Sequence, residues 1–325
     1  MVESLYQHRV RRKEMAVETN RQAVVLAVIN RKGGVGKTTT AVNLAHGLSR
    51  KLIRRVKPED LERVPRASQL YQYKGHYYYI HGHVLLIDFD AQGLCARSLG
   101  IDSGEADLGE VLLGTQHPSQ AVITADKAAT GHPRPNLWLL PSSDNLERAK
   151  DVLQSRSIVY FIDGYESKEQ WLLNLLTRRL SLVRKRFSYI ILDCAPGLDA
   201  FAHAVHRFAK AAIVPVKPDF LSMSGTRQNT DQVRDMQLRG VDINIHTIVP
   251  TFYVSQQRMD QEMVDELKKR HGDLVSEPIP RSQIVAEAPA YELTVFEIDP
   301  GYRNPATVAY QKLVDRVHYG QKIKA

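Results

Sequence analysis

The stretch Arg31-Lys32-Gly33-Gly34-Val35-Gly36-Lys37-Thr38-Thr39-Thr40 constrains this chain more than any other. It follows the apolar run Val24-Val25-Leu26-Ala27-Val28-Ile29 and precedes Ala41 to Leu48, whose apolar residues recur at helical spacing. A strand, a glycine-rich turn and a helix start, in that order, describe a phosphate-binding loop. The glycines let several backbone N–H groups converge on one anion, and the helix N-terminus adds partial positive charge. Lys37 is expected to reach the β- and γ-phosphates of a nucleotide, and Thr38 to offer its hydroxyl to magnesium. The competing reading, a glycine-rich turn with no ligand, gives two lysines and three threonines beside three glycines no packing purpose.

The loop departs from the usual G-x-x-x-x-G-K-[ST] pattern at the start of its glycine run. Arg31 stands where a glycine is expected, and an extra lysine, Lys32, directly precedes the glycines. A lysine there does not easily fold back onto its own nucleotide, but it can reach one held by a second subunit.

Two apolar strands further along end in acids, giving Asp88-Phe89-Asp90-Ala91-Gln92-Gly93 and Asp193-Cys194-Ala195-Pro196-Gly197-Leu198. Magnesium takes hard oxygen ligands and keeps several waters, so a threonine hydroxyl, phosphate oxygens and a nearby carboxylate satisfy it. Asp193 is the candidate for that role, acting through water; Asp88 supports the same ion or Lys37. Asp90, further into its loop, is placed to orient an attacking water. A strand-ending aspartate is often only a helix cap, but two of them beside a phosphate loop make capping alone a poor account.

With 325 residues, 43% of them hydrophobic and 25% charged, the chain has an ordinary globular composition and room for one large α/β domain or two small ones. No uninterrupted apolar stretch reaches the roughly 18 residues of a membrane span. No apolar signal core follows the first residues, so a cytoplasmic location is expected. Cys95 and Cys194 are far apart and form no C-x-x-C pair, which argues against a disulfide framework or structural zinc. A formal charge of +8 favours an anionic partner, nucleic acid first and a membrane surface second.

Repeated βα units predict a doubly wound, mostly parallel sheet flanked by helices, with ligands at the carboxyl ends of its strands. Residues 23–325 are read as one domain, preceded by a basic arm or helix over 1–22 that is either a frayed tail or a DNA contact. Strands are expected at Leu137–Leu140, Tyr189–Asp193, Ala211–Pro215 and Ile245–Val249. Helices are expected over Trp171–Phe187, 224–239 and Gln257–Arg270, and from about Pro305. Between the first helix and the strand at Val84, residues 50–83 form an insertion with eight Lys and Arg against three acids, a net of +5. Alternating aromatics around Lys74-Gly75-His76 predict a β-hairpin there. Either it extends the sheet or an oligomer surface, or its cations and tyrosines touch nucleic acid.

Taken together, Lys32–Thr40, Asp88–Gly93, Tyr189–Leu198, Val214-Pro215-Val216-Lys217-Pro218-Asp219-Phe220 and Ile279-Pro280-Arg281-Ser282 with Ala286–Pro289 resemble the successive signatures of the ParA/Soj partition ATPases. Those belong to the ParA/MinD superfamily, whose deviant Walker A loop reads K-G-G-x-G-K-[ST]. The resemblance covers about residues 24–318 apart from the insertion. It implies a Mg2+-dependent ATPase that closes on ATP as a sandwich homodimer, with Lys32, Lys37 and Asp90 catalytic. Lys32, Gly33, Gly34, Val35, Gly36, Lys37, Thr38 and Thr39 would hold the nucleotide, with Pro280, Arg281 and the loop after Val249 near the adenine. Thr38, Asp88 and Asp193 would serve the metal, and residues 214–220 would sense the γ-phosphate. It further implies non-specific DNA binding and a ParB-like or centromere-binding adaptor that stimulates hydrolysis. Where relatives often carry a second arginine after Ile-Pro-Arg, this chain has Ile284; the arginine expected soon after Pro250-Thr251 is displaced to Arg258. Arg258, Lys268, Lys269, Arg270, Arg281 and Lys312 are the remaining DNA candidates.

Three other readings share features of the loop or of the insertion. A membrane-positioning ATPase like MinD needs an amphipathic C-terminal helix, and the poorly patterned 317–325 does not supply one. A reductase of the nitrogenase iron-protein type needs cluster-holding cysteines in suitable loops. A bacterial tyrosine kinase carries its tyrosines in a tail, whereas these are internal.

Overall fold

The computed structural model describes residues 23–66, 69–164, 167–197, 199–209, 211–218 and 243–320. The N-terminal arm, the helix expected over 224–239, Asp219 and Phe220 of the expected phosphate sensor, and residues 321–325 lie outside the described residues.

Seven strands form the central sheet: β1 (Val24–Val28), β5 (Val84–Phe89), β6 (Ile123–Thr124), β7 (Leu137–Leu140), β8 (Tyr189–Cys194), β9 (Ala211–Val216) and β10 (Asn244–Pro250). Their order across the sheet is β10-β9-β1-β8-β5-β7-β6. All pairings are parallel except that of the edge strand β6 with β7. Parallel central strands are covered on both faces and so read as continuous apolar runs; every residue of β5 and of β8 is buried.

Side chains alternate across the sheet into two apolar layers. Leu85, Ile87, Ile190 and Leu192 join the layer containing Leu153, Leu172, Phe201 and Val264. These come from α2 (Asn145–Ile162), α3 (Lys168–Arg179), α4 (Ala200–Ala209) and α5 (Arg258–His271), with α1 (Lys37–Lys51) and α6 (Pro305–Gly320) lying on the other face. There Leu26, Leu86 and Ile191 meet Leu44, Leu48, Leu313 and Val314. The expected doubly wound sheet is therefore present, and its register matters for the site. Val28 pairs with Asp193, and Asp193 with Asp88, so β1, β8 and β5 deliver their carboxyl ends to one place.

Three features differ from the sequence expectations. The insertion does not extend the central sheet: β2 (Ile53–Val56), β3 (Leu70–Tyr73) and β4 (His76–Ile80) make a separate antiparallel sheet in the order β2-β4-β3. The hairpin turn is where the aromatic alternation placed it, with Lys74 and Gly75 at φ 46° and 75°, the positive values a two-residue turn requires. What the sequence hides is β2, a four-residue strand that follows α1 after one residue.

The helix expected over Trp171–Phe187 is broken instead at Leu180 (φ −101°, ψ 8°) into Lys168–Arg179 and a short Ser181–Arg184. Leu180 is fully buried, and the break turns Val183 and Phe187 into the core. Finally, the 18-residue α2 is not legible in the sequence, because its buried apolar residues Leu146, Ala149 and Leu153 occupy the first half only. Its far end exposes Val159, Phe161 and Ile162, which blurs the helical period.

Candidate nucleotide site

The loop that leaves β1 is held from both sides. The Ile29 N–H donates to the Ile213 carbonyl at 3.0 Å. Asn30 then fastens the loop twice, donating from Nδ2 to the Pro215 carbonyl at 2.6 Å and accepting the Lys32 N–H on Oδ1 at 2.9 Å. From the β10 side, the Thr251 hydroxyl donates to the Val35 carbonyl at 2.9 Å.

Gly34 and Gly36 adopt φ of 69° and 84°, which side-chain-bearing residues rarely hold. A Cβ built at Gly33 or Gly34 would meet nothing within 4 Å, so the glycines line open space rather than a packed turn. α1 begins behind them with no side-chain cap and no acid in its first turn. Its leading N–H groups thus have no cap from their own helix, the arrangement that binds anions.

Lys37 is buried, and its Nζ donates to the Lys32 carbonyl at 3.0 Å. Burial pulls its ammonium below the usual lysine range, while the nearby charges of Asp193 and Asp90 pull it back up. Asp88 and Asp193 sit side by side on β5 and β8, both buried. Asp88 accepts the N–H groups of Asp90 at 3.0 Å and of Cys95 at 3.1 Å, so it organises the turn after β5. Asp193 accepts the Cys95 thiol on Oδ2 at 3.4 Å and a hydrogen bond from the Thr38 hydroxyl, while its buried Oδ1 has no partner. Burial pushes both carboxyls up, the charge of Asp90 adding to it at Asp88 and that of Asp88 at Asp193. An adjacent cation would reverse that cost. Asp90, half-buried, accepts the Gln92 N–H on Oδ1 at 3.1 Å, and its carbonyl accepts the Ser142 hydroxyl.

A cavity of about 880 Å3 runs from Gly36 and Thr39 to Pro280, Arg281 and Gln283, walled by Phe252 and Lys217. Its far wall is built by backbone pairing of the loop after β10: Tyr253 donates to Ile279 at 3.1 Å, and Arg281 to Tyr253 at 2.8 Å. The Lys217 ammonium lies 5.2 Å from the Phe252 ring centroid. The structure thus brings the phosphate loop, both strand-end aspartates and the Pro280-Arg281 pair to one end of the sheet.

It does not gather the DNA candidates. Arg258 starts α5 and pairs with Glu262 at 2.7 Å, while Lys268, Lys269 and Arg270 lie in its last turn, with Arg270 paired to Glu266. Over Arg258–His271, four Lys and Arg face four acids, leaving no net charge on the helix. Arg281, besides lining the nucleotide cavity, shares a neighbouring cavity with Lys312.

Sequence reasoning missed Asn30 and Cys95 as contributors to the site, while Lys217 belongs to the expected γ-phosphate sensor and Thr251 and Phe252 to the loop expected near the adenine. Asn30 had a readable signal, since an asparagine two residues before a loop N–H forms an Asx turn. Cys95 reaches the site only through strand register and carried no local signal.

A glycine loop opening an uncapped helix, beside two register-matched aspartates at the carboxyl edge of a parallel sheet, defines a P-loop nucleotide-binding protein. A family model described as an AAA domain matches residues 23–61 and 80–247. The sporulation initiation inhibitor protein Soj of Bacillus subtilis (strain 168) is 27% identical over 284 residues, covering 86% of this chain and 92% of Soj. The chromosome partitioning protein ParA of Caulobacter vibrioides is 26% identical over 301 residues, covering 90% and 93%. Among solved structures, Cyanothece McdA in complex with ATP superposes with a TM-score of 0.65 at 20% identity, over 94% of this chain and 98% of that one. The chain belongs to this family and is a P-loop ATPase of the ParA/MinD type.

Proposed function

We propose that this chain is a Mg2+-dependent ATPase whose ATP-bound form is a homodimer, that DNA is the surface it acts on, and that a ParB-like adaptor stimulates its hydrolysis. Cycling between the bound and released states would segregate or position DNA or another large cargo. Residues 23–325 are read as the single ATPase domain that carries these steps.

The observation that carries the reading is the open, uncapped loop holding two lysines of unlike setting, Lys37 buried against the sheet and Lys32 at the half-exposed rim. The N–H groups from Gly33 to Thr39 would hold the phosphates, with Lys37 beside them. The partnerless Asp193 Oδ1 and the Thr38 hydroxyl next to it fit a hydrated magnesium, with Asp88 fixing the turn that shields them. Magnesium, when bound, supplies charge that offsets the phosphates. Pro280, Arg281 and Phe252 would enclose the base. Asp90, its carboxylate steadied by the Gln92 N–H, would orient the attacking water. Lys32 would reach the phosphates of the partner subunit. The names of the chromosome partitioning relatives support the cargo, and the ATP of the McdA complex supports the nucleotide.

Removing the water-orienting carboxylate in Asp90→Ala should lower turnover roughly 10²-fold or more and leave a long-lived ATP dimer. Unchanged turnover would sink the assignment. DNA affinity should fall with salt by about 0.9 log units per neutralised phosphate for each log unit of salt; an isotherm flat in salt would remove DNA from the account.

A further inference from the structure

The family match runs to residue 61 and resumes at 80, so β2 lies within it, while β3, the turn and most of β4 lie outside it. The three-stranded sheet stands at the end of α1 remote from the nucleotide loop, since α1 starts at Lys37 and its last residue is followed at once by Leu52 and β2. Fifteen helical residues at 1.5 Å rise separate the two by about 22 Å.

Its charges are not scattered. Arg50 and Lys51 are used inward: Arg50 lies over the Phe296 and Tyr302 rings, and Lys51 pairs with Asp315 at 2.6 Å. Lys57 and Arg63 are matched by Glu59 and Asp60 within the 3₁₀ turn between β2 and β3. Arg54, Arg55 and Lys74 are exposed, and among the described residues no carboxylate pairs with any of them. Rings and a histidine position them instead. The Arg54 guanidinium lies 5.3 Å from the Tyr79 centroid, Lys74 lies 5.2 Å from that of Tyr73, and Arg55 is 2.9 Å from His76 Nδ1.

The register assigns these cations to different sides. Arg54 is opposite Tyr79 and Arg55 opposite Tyr78, and neighbours along a strand point to opposite faces. The ribbon therefore carries one arginine on each face and a lysine at its tip. A flat anionic surface such as a bilayer meets only one face of such a ribbon. Duplex phosphates flank a groove on both walls, so cations on both faces of the edge strand β2 and at the turn tip can each meet one.

We propose that this three-stranded sheet is the chain's DNA-contacting surface, with Arg54, Arg55 and Lys74 gripping backbone phosphates without reading sequence, in place of the charge-balanced α5. This rests on the reading that DNA is the partner. Because the ribbon lies about 22 Å from the loop, DNA and the nucleotide-dependent dimer interface can be occupied together, and a dimer would present two ribbons.

The test is binding of short duplexes of unrelated sequence to the full chain with a non-hydrolysable ATP analogue and Mg2+. It compares wild type, the triple variant Arg54→Glu/Arg55→Glu/Lys74→Glu, and Lys268→Glu/Lys269→Glu on α5. The expected result is wild-type binding that is indifferent to sequence, and a triple variant weakened roughly tenfold or more, with its salt slope reduced by about one per lost phosphate contact. The α5 variant should stay within about twofold of wild type, and all three should bind the nucleotide equally, which controls for folding. Lys74→Glu alone, at the turn tip, should weaken binding in the same direction and checks the triple variant independently. Wild-type binding that survives in the triple variant overturns the ribbon but not DNA as partner. A wild type that binds no duplex overturns both. Binding to anionic vesicles through these residues, without duplex binding, overturns the proposal in favour of a membrane.

Discussion

Lys37 reaches back across five residues to donate its Nζ to the carbonyl of Lys32 at 3.0 Å, so one loop lysine holds the peptide of the other. With Asn30 Oδ1 on its N–H, Lys32 has both backbone groups committed to the shape of the loop. The buried ammonium of Lys37 is then already aimed along the loop that would wrap the phosphates. Lys32 is set at the half-exposed rim by its backbone.

The two lysines should therefore fail differently. Lys37→Ala loses a charge-assisted contact worth about 1.5–3 kcal/mol, which predicts roughly 10- to 100-fold weaker ADP binding by calorimetry. Lys32→Ala should change ADP affinity of the isolated subunit less than about threefold. Equal losses in both variants would show that Lys32 serves its own subunit.

Arg134 predicts a structural lesion away from the nucleotide. It is 1% exposed and forks onto Glu297 at 2.8 and 2.9 Å, with further bonds to the Leu99 and Glu292 carbonyls. Glu297 belongs to the segment that bonds α1 through Asn43 and Val295. Arg134→Ala should cost about 3–5 kcal/mol by leaving Glu297 buried and unpaired. Lysine cannot reproduce the fork, so Arg134→Lys should rescue little of the loss in a urea titration.

Both cysteines should be silent in the native state. Cys95 and Cys194 are in no disulfide and are buried, and burial pushes both thiols up. The reactive form is the thiolate, so alkylation should be negligible in native buffer and complete in denaturant. Rapid native labelling of Cys95 would contradict the closed packing around Asp193.

Acid should destabilise the fold before most carboxylates titrate. Burial lowers His46 to about 3, and His83 and His206 to about 4 each. These folded-state values lie below the unfolded value of about 6.5, so between them the unfolded chain binds more protons and stability falls as pH falls. Each histidine contributes about 1.4 kcal/mol per pH unit between roughly pH 6 and 4.5, opposed in part by Asp88 and Asp193, whose raised carboxyls bind protons in the folded state over the same range. Urea midpoints at pH 7 and pH 5 measure it, and His83→Gln should flatten the dependence.

How much of the fold and site is legible in sequence depends on whether the signal is local. The loop, the strands β1, β5, β8 and β9 and both acid-ended turns are readable because buried parallel strands are short unbroken apolar runs flanked by glycine or acid. α2 is hidden because its core contacts use half its length, and β2 because Arg54 and Arg55 interrupt its apolar pattern. The site's backbone donors are predictable from glycine chemistry. Cys95 on Asp193 is not, because that contact exists only after β5 and β8 are in register.

The central claim, that nucleotide times a dimer through Lys32, is tested most directly by sedimentation velocity of wild type and Lys32→Ala with a non-hydrolysable ATP analogue and Mg2+. Wild type should shift from monomer to dimer with the analogue but not with ADP, and the Lys32→Ala protein should bind the analogue yet stay monomeric. A variant that dimerises as fully as wild type would contradict it.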